Sequence, residues 1–331
     1  MSVASRASQR GVALLTAIIL VALATVLAVA IAFHTAMTAR RGASSFTVEQ
    51  GLQFGGGAEI IAAYALVQDA RSAGGRSPGP QTDHEGDIWT QPFPPTEVAP
   101  GITFEAVLTD ESGKFNLNTL ANIDPNNGGA DPESLGILEK LLTLLGMETR
   151  WAGVIADYVD RDTQQSTNGA EDGVYTSLRP PHRTPNAPIT SVSELMAMPG
   201  FGRENYLKLL PHVTALPPEE RRINVCFATG ALLDALDSQF ASSLNRTYVD
   251  MDPKAFAELK ASSCPQMIDT LVGTNRPADR NQQLRARVAD QSTYFRLHTW
   301  VTIGTTRFAL YSLMERKGTV VRVVNRTFGT E

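Results

Sequence analysis

The sequence predicts an α+β fold: a long N-terminal helix packed on an antiparallel sheet, with a large, mainly helical domain inserted into it. Three observations predict this. Val12 to Phe33 carries no charge and continues into a helical pattern. Alternating strand patterns occur near residue 102 and again from residue 294 to the end of the chain. The segment from about Glu111 to Asp290 is helical and loop-rich, and too long to be one connection in a small domain.

The apolar run is about as long as the ~20 residues a membrane helix needs. A secretory signal peptide is the competing reading. Its apolar region would be shorter, about 7–15 residues, although Ala28-Val29-Ala30 offers a cleavage match. Arg6 and Arg10 precede the span and Arg40 and Arg41 follow it, so charge alone does not orient it. From Thr35 to about Asp69 the pattern is amphipathic and extends the same helix. Gly55-Gly56-Gly57 is a point of bending or breaking, because each mid-helix glycine costs about 1 kcal/mol. The Gly- and Pro-rich stretch from Ser72 to Pro80 ends the helix, and a Pro-rich linker runs to about Gly101.

Ile102 to Leu108 alternates as a strand and turns at Asp110–Lys114 into Phe115-Asn116-Leu117-Asn118. Tyr294–Ile303, Arg307–Met314 and Val320–Phe328 read as three further strands, the last two joined at Arg316-Lys317-Gly318 as a hairpin. Within the insertion, Phe115–Leu120 has an echo in Ile223–Thr229, each preceding an apolar helix.

The 331 residues carry a formal charge of -5, which argues against a general role on nucleic acid or anionic lipid. There is no metalloprotease, nucleophile-elbow or P-loop signature, and the five histidines are scattered. Met198-Pro199-Gly200-Phe201-Gly202 resembles a helix-hairpin-helix turn, but no basic patch adjoins it, so it reads as a turn packing two helices. The densest oxygen cluster contains Asp157, Asp160, Asp162, Gln164, Ser166, Asn168, Glu171 and Asp172. Counted from Asp160, oxygens fall at EF-hand positions, but Gln165 stands where that loop has glycine. The residues leave two readings open, an irregular Ca²⁺ loop and a solvated acidic loop. Zn²⁺ fits less well, since the cluster holds no His or Cys. The two cysteines, Cys226 and Cys264, are better read as one disulfide if the domain lies outside the cytoplasm.

Gln9-Arg10-Gly11 joined directly to an apolar helix resembles the class III leader of type IV pilins and pseudopilins. Thr16 stands at the fifth position after that glycine, where most of that family have Glu. Asp110–Asn118, Tyr175, Pro180-Pro181-His182-Arg183, Asn186-Ala187-Pro188 and Ser193-Glu194-Leu195 resemble the signature stretches of the K-type minor pseudopilin of type II secretion systems. Cys226 departs from that pattern, in which Asn would be expected.

The resemblance implies a pilin-like fold and these divisions: leader 1–11, transmembrane helix 12–34, helix, linker and first strands 35–110, inserted domain 111–290, and final strands 291–331. It implies cleavage between Gly11 and Val12 by a prepilin peptidase, with methylation of the new amine. It implies Ca²⁺ in the inserted domain, held by Asp157, Asp160, Asp162, Gln164, Glu171 and Asp172. The expected place is the bacterial inner membrane, single-pass, with the bulk of the chain in the periplasm. The expected partners are the I-type and J-type minor pseudopilins, the major pseudopilin and, in passing, secretion substrates, but no nucleic acid. The expected role is non-enzymatic: tip subunit of the pseudopilus, starting its assembly for protein export. A minor pilin of a type IV pilus, and a membrane-anchored periplasmic hydrolase using Asp157 and Asp160, remain as alternatives.

Overall fold

A computed structural model describes residues 9–76, 82–122, 128–239, 243–273 and 277–329; for 9–11 and 72–76 it describes only the backbone. In chain order the elements are α1 (Gln9–Arg76), β1 (Phe93–Ala99), β2 (Ile102–Asp110), β3 (Phe115–Asn116), α2 (Pro132–Leu144), α3 (Arg150–Val159), α4 (Asp172–Tyr175), α5 (Gly202–Leu209), β4 (Val213–Thr214), β5 (Ile223–Asn224), α6 (Gly230–Gln239), α7 (Pro253–Val272), α8 (Ala278–Arg287), β6 (Val288–Ala289), β7 (Tyr294–Ile303), β8 (Thr306–Lys317) and β9 (Val320–Phe328). Short 3-10 turns, such as Leu117–Leu120 and Val192–Ala197, link them.

α1 passes through the glycine triplet without interruption, so the expected weak point does not break it, and it ends at Arg76, within the Ser72–Pro80 stretch expected to stop it. Packing explains Gly55, while a Cβ at Gly56 or Gly57 would meet nothing within 4 Å. A Cβ at Gly55 would come within 2.5 Å of the Leu310 side chain, and one at Gly51 within 3.1 Å of Phe308. The helix approaches the sheet closely here, and tertiary burial outweighs the local cost of glycine. Ala58, Ala62 and Leu66 continue the same buried face. Glu59 is buried between Arg326, whose Nε and Nη2 donate to its two oxygens at 2.6 and 2.7 Å, and the Ser312 hydroxyl.

The sheet has the order β1-β2-β7-β8-β9, and every neighbouring pair is antiparallel. The expected linker contains β1, which includes Pro94 and Pro95. It is an edge strand, where a missing N–H costs no ladder bond. In the final hairpin Lys317 pairs with Val320, so Arg316 and Lys317 belong to the strand and Gly318, at φ 60°, makes the turn.

β2 and β7 are neighbours in the sheet although the inserted region separates them in sequence. That region packs around its own core, which includes Leu117, Leu120, Leu138, Trp151, Ile155, Tyr175, Phe201, Leu232 and Leu236. Where the chain leaves and re-enters the sheet, it is tied by buried polar groups. Ser112 accepts from Thr293 and Tyr294 N–H at its hydroxyl and from Asn224 N–H at its carbonyl. Asp83 accepts from Arg316 Nη2 at 2.6 Å and from Ser292 N–H at 2.7 Å. Trp89 lies between Phe227 of the inserted region and Phe295 of the sheet, at ring separations of 5.4 and 5.0 Å.

Candidate metal centre

The acidic loop begins where α3 ends. Asp157 is on the last turn of α3, fully buried, and both its oxygens accept the Ser166 N–H, at 3.2 and 3.1 Å. This folds the loop back on the helix. The contact is close enough that a Cβ at Gly169 would fall 2.0 Å from Asp157 Oδ2. Asn168 just before it takes φ 63°, a left-handed conformation that asparagine tolerates.

The wrapped loop brings Asp160, Asp162 and Glu171 together, with one carboxylate oxygen of each within 4.8 Å of the others. Asp160 and Glu171 are buried. Three oxygens have no hydrogen-bond partner among the described residues: Asp160 Oδ1, Glu171 Oε1 and Asn186 Oδ1. Asn186, at φ 43°, also donates through Nδ2 to the Asp162 carbonyl. Burial, then the neighbouring Asp162, Asp157 and Glu171 charges, push the Asp160 carboxyl up to about 7. Glu171 is also raised, first by burial. Buried oxygens without partners are expensive unless a proton or a cation meets them. The donors are all hard oxygens, a set that suits a calcium-like cation rather than zinc.

The other expected ligands are placed differently. Gln164 is exposed and its N–H donates to Asp162 Oδ1 at 2.7 Å. Asp172 accepts from the N–H and hydroxyl of Thr184, both at 3.0 Å, and lies 3.7 Å from Arg183. Asp157 is spent on the Ser166 amide. The spacing of an EF-hand therefore does not become EF-hand geometry, and Asn186 joins the cluster from outside the loop.

Cys226 and Cys264 meet as a disulfide pair with their Cα atoms 5.3 Å apart, both buried. In the Met198–Gly202 turn, Gly200 and Gly202 have φ 78° and 71°, and Phe201 is buried edge-on against Trp151 at 5.0 Å. Its function in the fold is to pack two helices. At the N-terminus Gly11 and Val12 lie within α1, and Thr16 Oγ1 donates to the Val12 and Ala13 carbonyls at 3.1 and 3.0 Å. Residues 1–8, including Arg6, fall outside the described part.

A long helix with an exposed apolar N-terminal stretch, a five-stranded antiparallel sheet on its far half and a helical insertion with an oxygen-lined loop define a helix-anchored pilin-like subunit. Residues 113–218 match the family described as "Type II secretion system (T2SS), protein K". A type II secretion system protein K of Klebsiella pneumoniae is 31% identical over 97% of this chain and 97% of its own. Those of Pectobacterium carotovorum and Pseudomonas aeruginosa are each 29% identical, over 98% of this chain and 98% and 94% of their own. The GspK-GspI-GspJ complex of enterotoxigenic Escherichia coli contains a chain with the same fold, at TM-score 0.69 and 22% identity, covering 88% of this chain and 100% of that one. The chain belongs to the type II secretion system protein K family, the minor pseudopilins of K type.

Proposed function

We propose that this subunit sits at the tip of the pseudopilus, begins its assembly in the bacterial inner membrane and carries its sheet and inserted region in the periplasm. One observation carries the tip assignment. In a filament each mature N-terminal ammonium lies among apolar helices and needs a carboxylate from a neighbour. Thr16 offers none, and its hydroxyl is already bonded within its own helix. Nothing can then be seated above this chain. The bulk of the inserted region supports the same reading, since it is hard to stack within a thin filament.

The partners are the I-type and J-type minor pseudopilins, by analogy with the three-chain complex of the related fold. The major pseudopilin follows below, and the prepilin peptidase cuts between Gly11 and Val12. Ca²⁺ is held by Asp160, Asp162, Glu171 and Asn186 as a structural ion, with Asp157 bracing the loop. No bond-making step belongs to this role, and the chain acts by binding. The test is Thr16→Glu in a host lacking the native gene. Pseudopili should change in number or length, because a subunit can now be seated above. Unchanged pseudopili would contradict the tip assignment.

A further inference from the structure

We propose that Arg40 and Arg41 bind phospholipid phosphates on the far side of the membrane and so fix the depth of α1; this rests on α1 being the membrane anchor. α1 runs unbroken from the apolar stretch Val12–Phe33 to both arginines. After Phe33 these are the first permanent charges. At 1.5 Å per residue, Arg40 lies about 10 Å beyond Phe33. The polar layer of a bilayer is about 5–8 Å deep on each side. Helical side chains lean toward the helix N-terminus, which here is the membrane side. Both guanidinium groups are therefore aimed back into the phosphate layer, within reach of long side chains that extend to polar groups.

Among the described residues no ion pair engages them. Positions three and four residues away from Arg40 are Ala36, Met37, Ala43 and Ser44. For Arg41 they are Met37, Thr38, Ser44 and Ser45, and the nearest carboxylate along the helix is Glu49. Both arginines are exposed, and close packing of α1 on the sheet begins only at Gly51. Arginine presents a planar fork that matches two phosphate oxygens.

The full chain would be placed in nanodiscs of phosphatidylcholine with phosphatidylglycerol, as wild type, R40Q/R41Q and R40K/R41K. Native mass spectrometry counts the phosphatidylglycerol retained, and a spin label at Ala36→Cys reports depth from its exposure to oxygen and to a water-soluble nickel complex. Wild type should retain phosphatidylglycerol more strongly than R40Q/R41Q, on the order of tenfold. The glutamine variant should also shift the label, and the lysine variant, which keeps the charge but not the fork, should fall between the two. Equal retention and equal depth in wild type and R40Q/R41Q would overturn the proposal. So would loss of I- and J-type subunit binding in R40Q/R41Q without a change in lipid or depth, which would assign the arginines to a protein partner. A chain that does not enter nanodiscs at all would overturn the anchor reading first.

Discussion

Phe115–Leu120 and Ile223–Ala228 open the two halves of the inserted region with the same device. Each begins with a two-residue strand in a parallel pair, β3 with β4 and β5 with β6. In each the asparagine that follows, Asn116 or Asn224, accepts the N–H two residues on, from Asn118 at 3.2 Å or Cys226 at 2.9 Å. The same side chain donates to a distant segment: Asn116 to the Pro217 and Glu220 carbonyls, Asn224 to the Asp83 carbonyl. The sequence echo is thus a structural repeat.

The halves differ two residues further on. Asn118 ties the first half by hydrogen bonds, donating to the Ile189 and Leu216 carbonyls and accepting from Ile189 N–H. Cys226 stands at the matching place and ties the second half covalently to Cys264. The first half also folds a loop around buried oxygens without hydrogen-bond partners among the described residues; the second puts its staple into a sulfur pair. One position, filled by Asn or Cys, is used for the same purpose with different chemistry.

The largest expected effect comes from the second half. Cys226→Ala with Cys264→Ala opens a loop of about 39 residues and should lower stability by about 4 kcal/mol on chain-entropy grounds. Urea unfolding with and without reductant measures it, and reductant should no longer matter in the variant. Next comes Asn118→Ala, which strands three buried backbone groups and should cost about 2–3 kcal/mol in the same assay. If Asn118→Ala proved nearly neutral, the two positions would not be equivalent staples.

The cation should stabilise the first half by less: about 1.4 kcal/mol at ten times its Kd. A thermal-shift titration with Ca²⁺ and a chelator reads this. Asp160→Asn and Glu171→Gln should abolish the shift, while Gln164→Ala should keep it. A further effect, absent at neutral pH, concerns the contact between halves. His212 accepts or donates at 2.6 Å to the Thr229 hydroxyl and burial pushes its pKa down to about 4. A histidine held neutral in this way contributes stability fully above its ordinary value of 6.5, and loses it as the pH falls toward 4. His212→Gln should flatten stability against pH in that window.

The legible parts of the fold were those set by local pattern: the apolar run, the strands at 102 and 294–328, and the repeated Asn motif. What stayed hidden depends on distant residues. Gly55 is read locally as a break, yet Leu310 across the interface requires it. β1 is masked by Pro94 and Pro95, because its only partner is β2 on one side. In the acidic loop the residues are legible by density. Which of them converge was decided by Ser166 and Thr184, which draw Asp157 and Asp172 away. Asn186 arrives from beyond the loop, and its left-handed φ carries no signal in sequence.

Cleavage after Gly11 places an amine one turn from Thr16, and only then does the missing carboxylate matter for assembly. Intact mass and peptide sequencing of the protein from host membranes should find a methylated amine on Val12. A chain beginning after Ala30, or one retaining Met1 through Gly11, would contradict it.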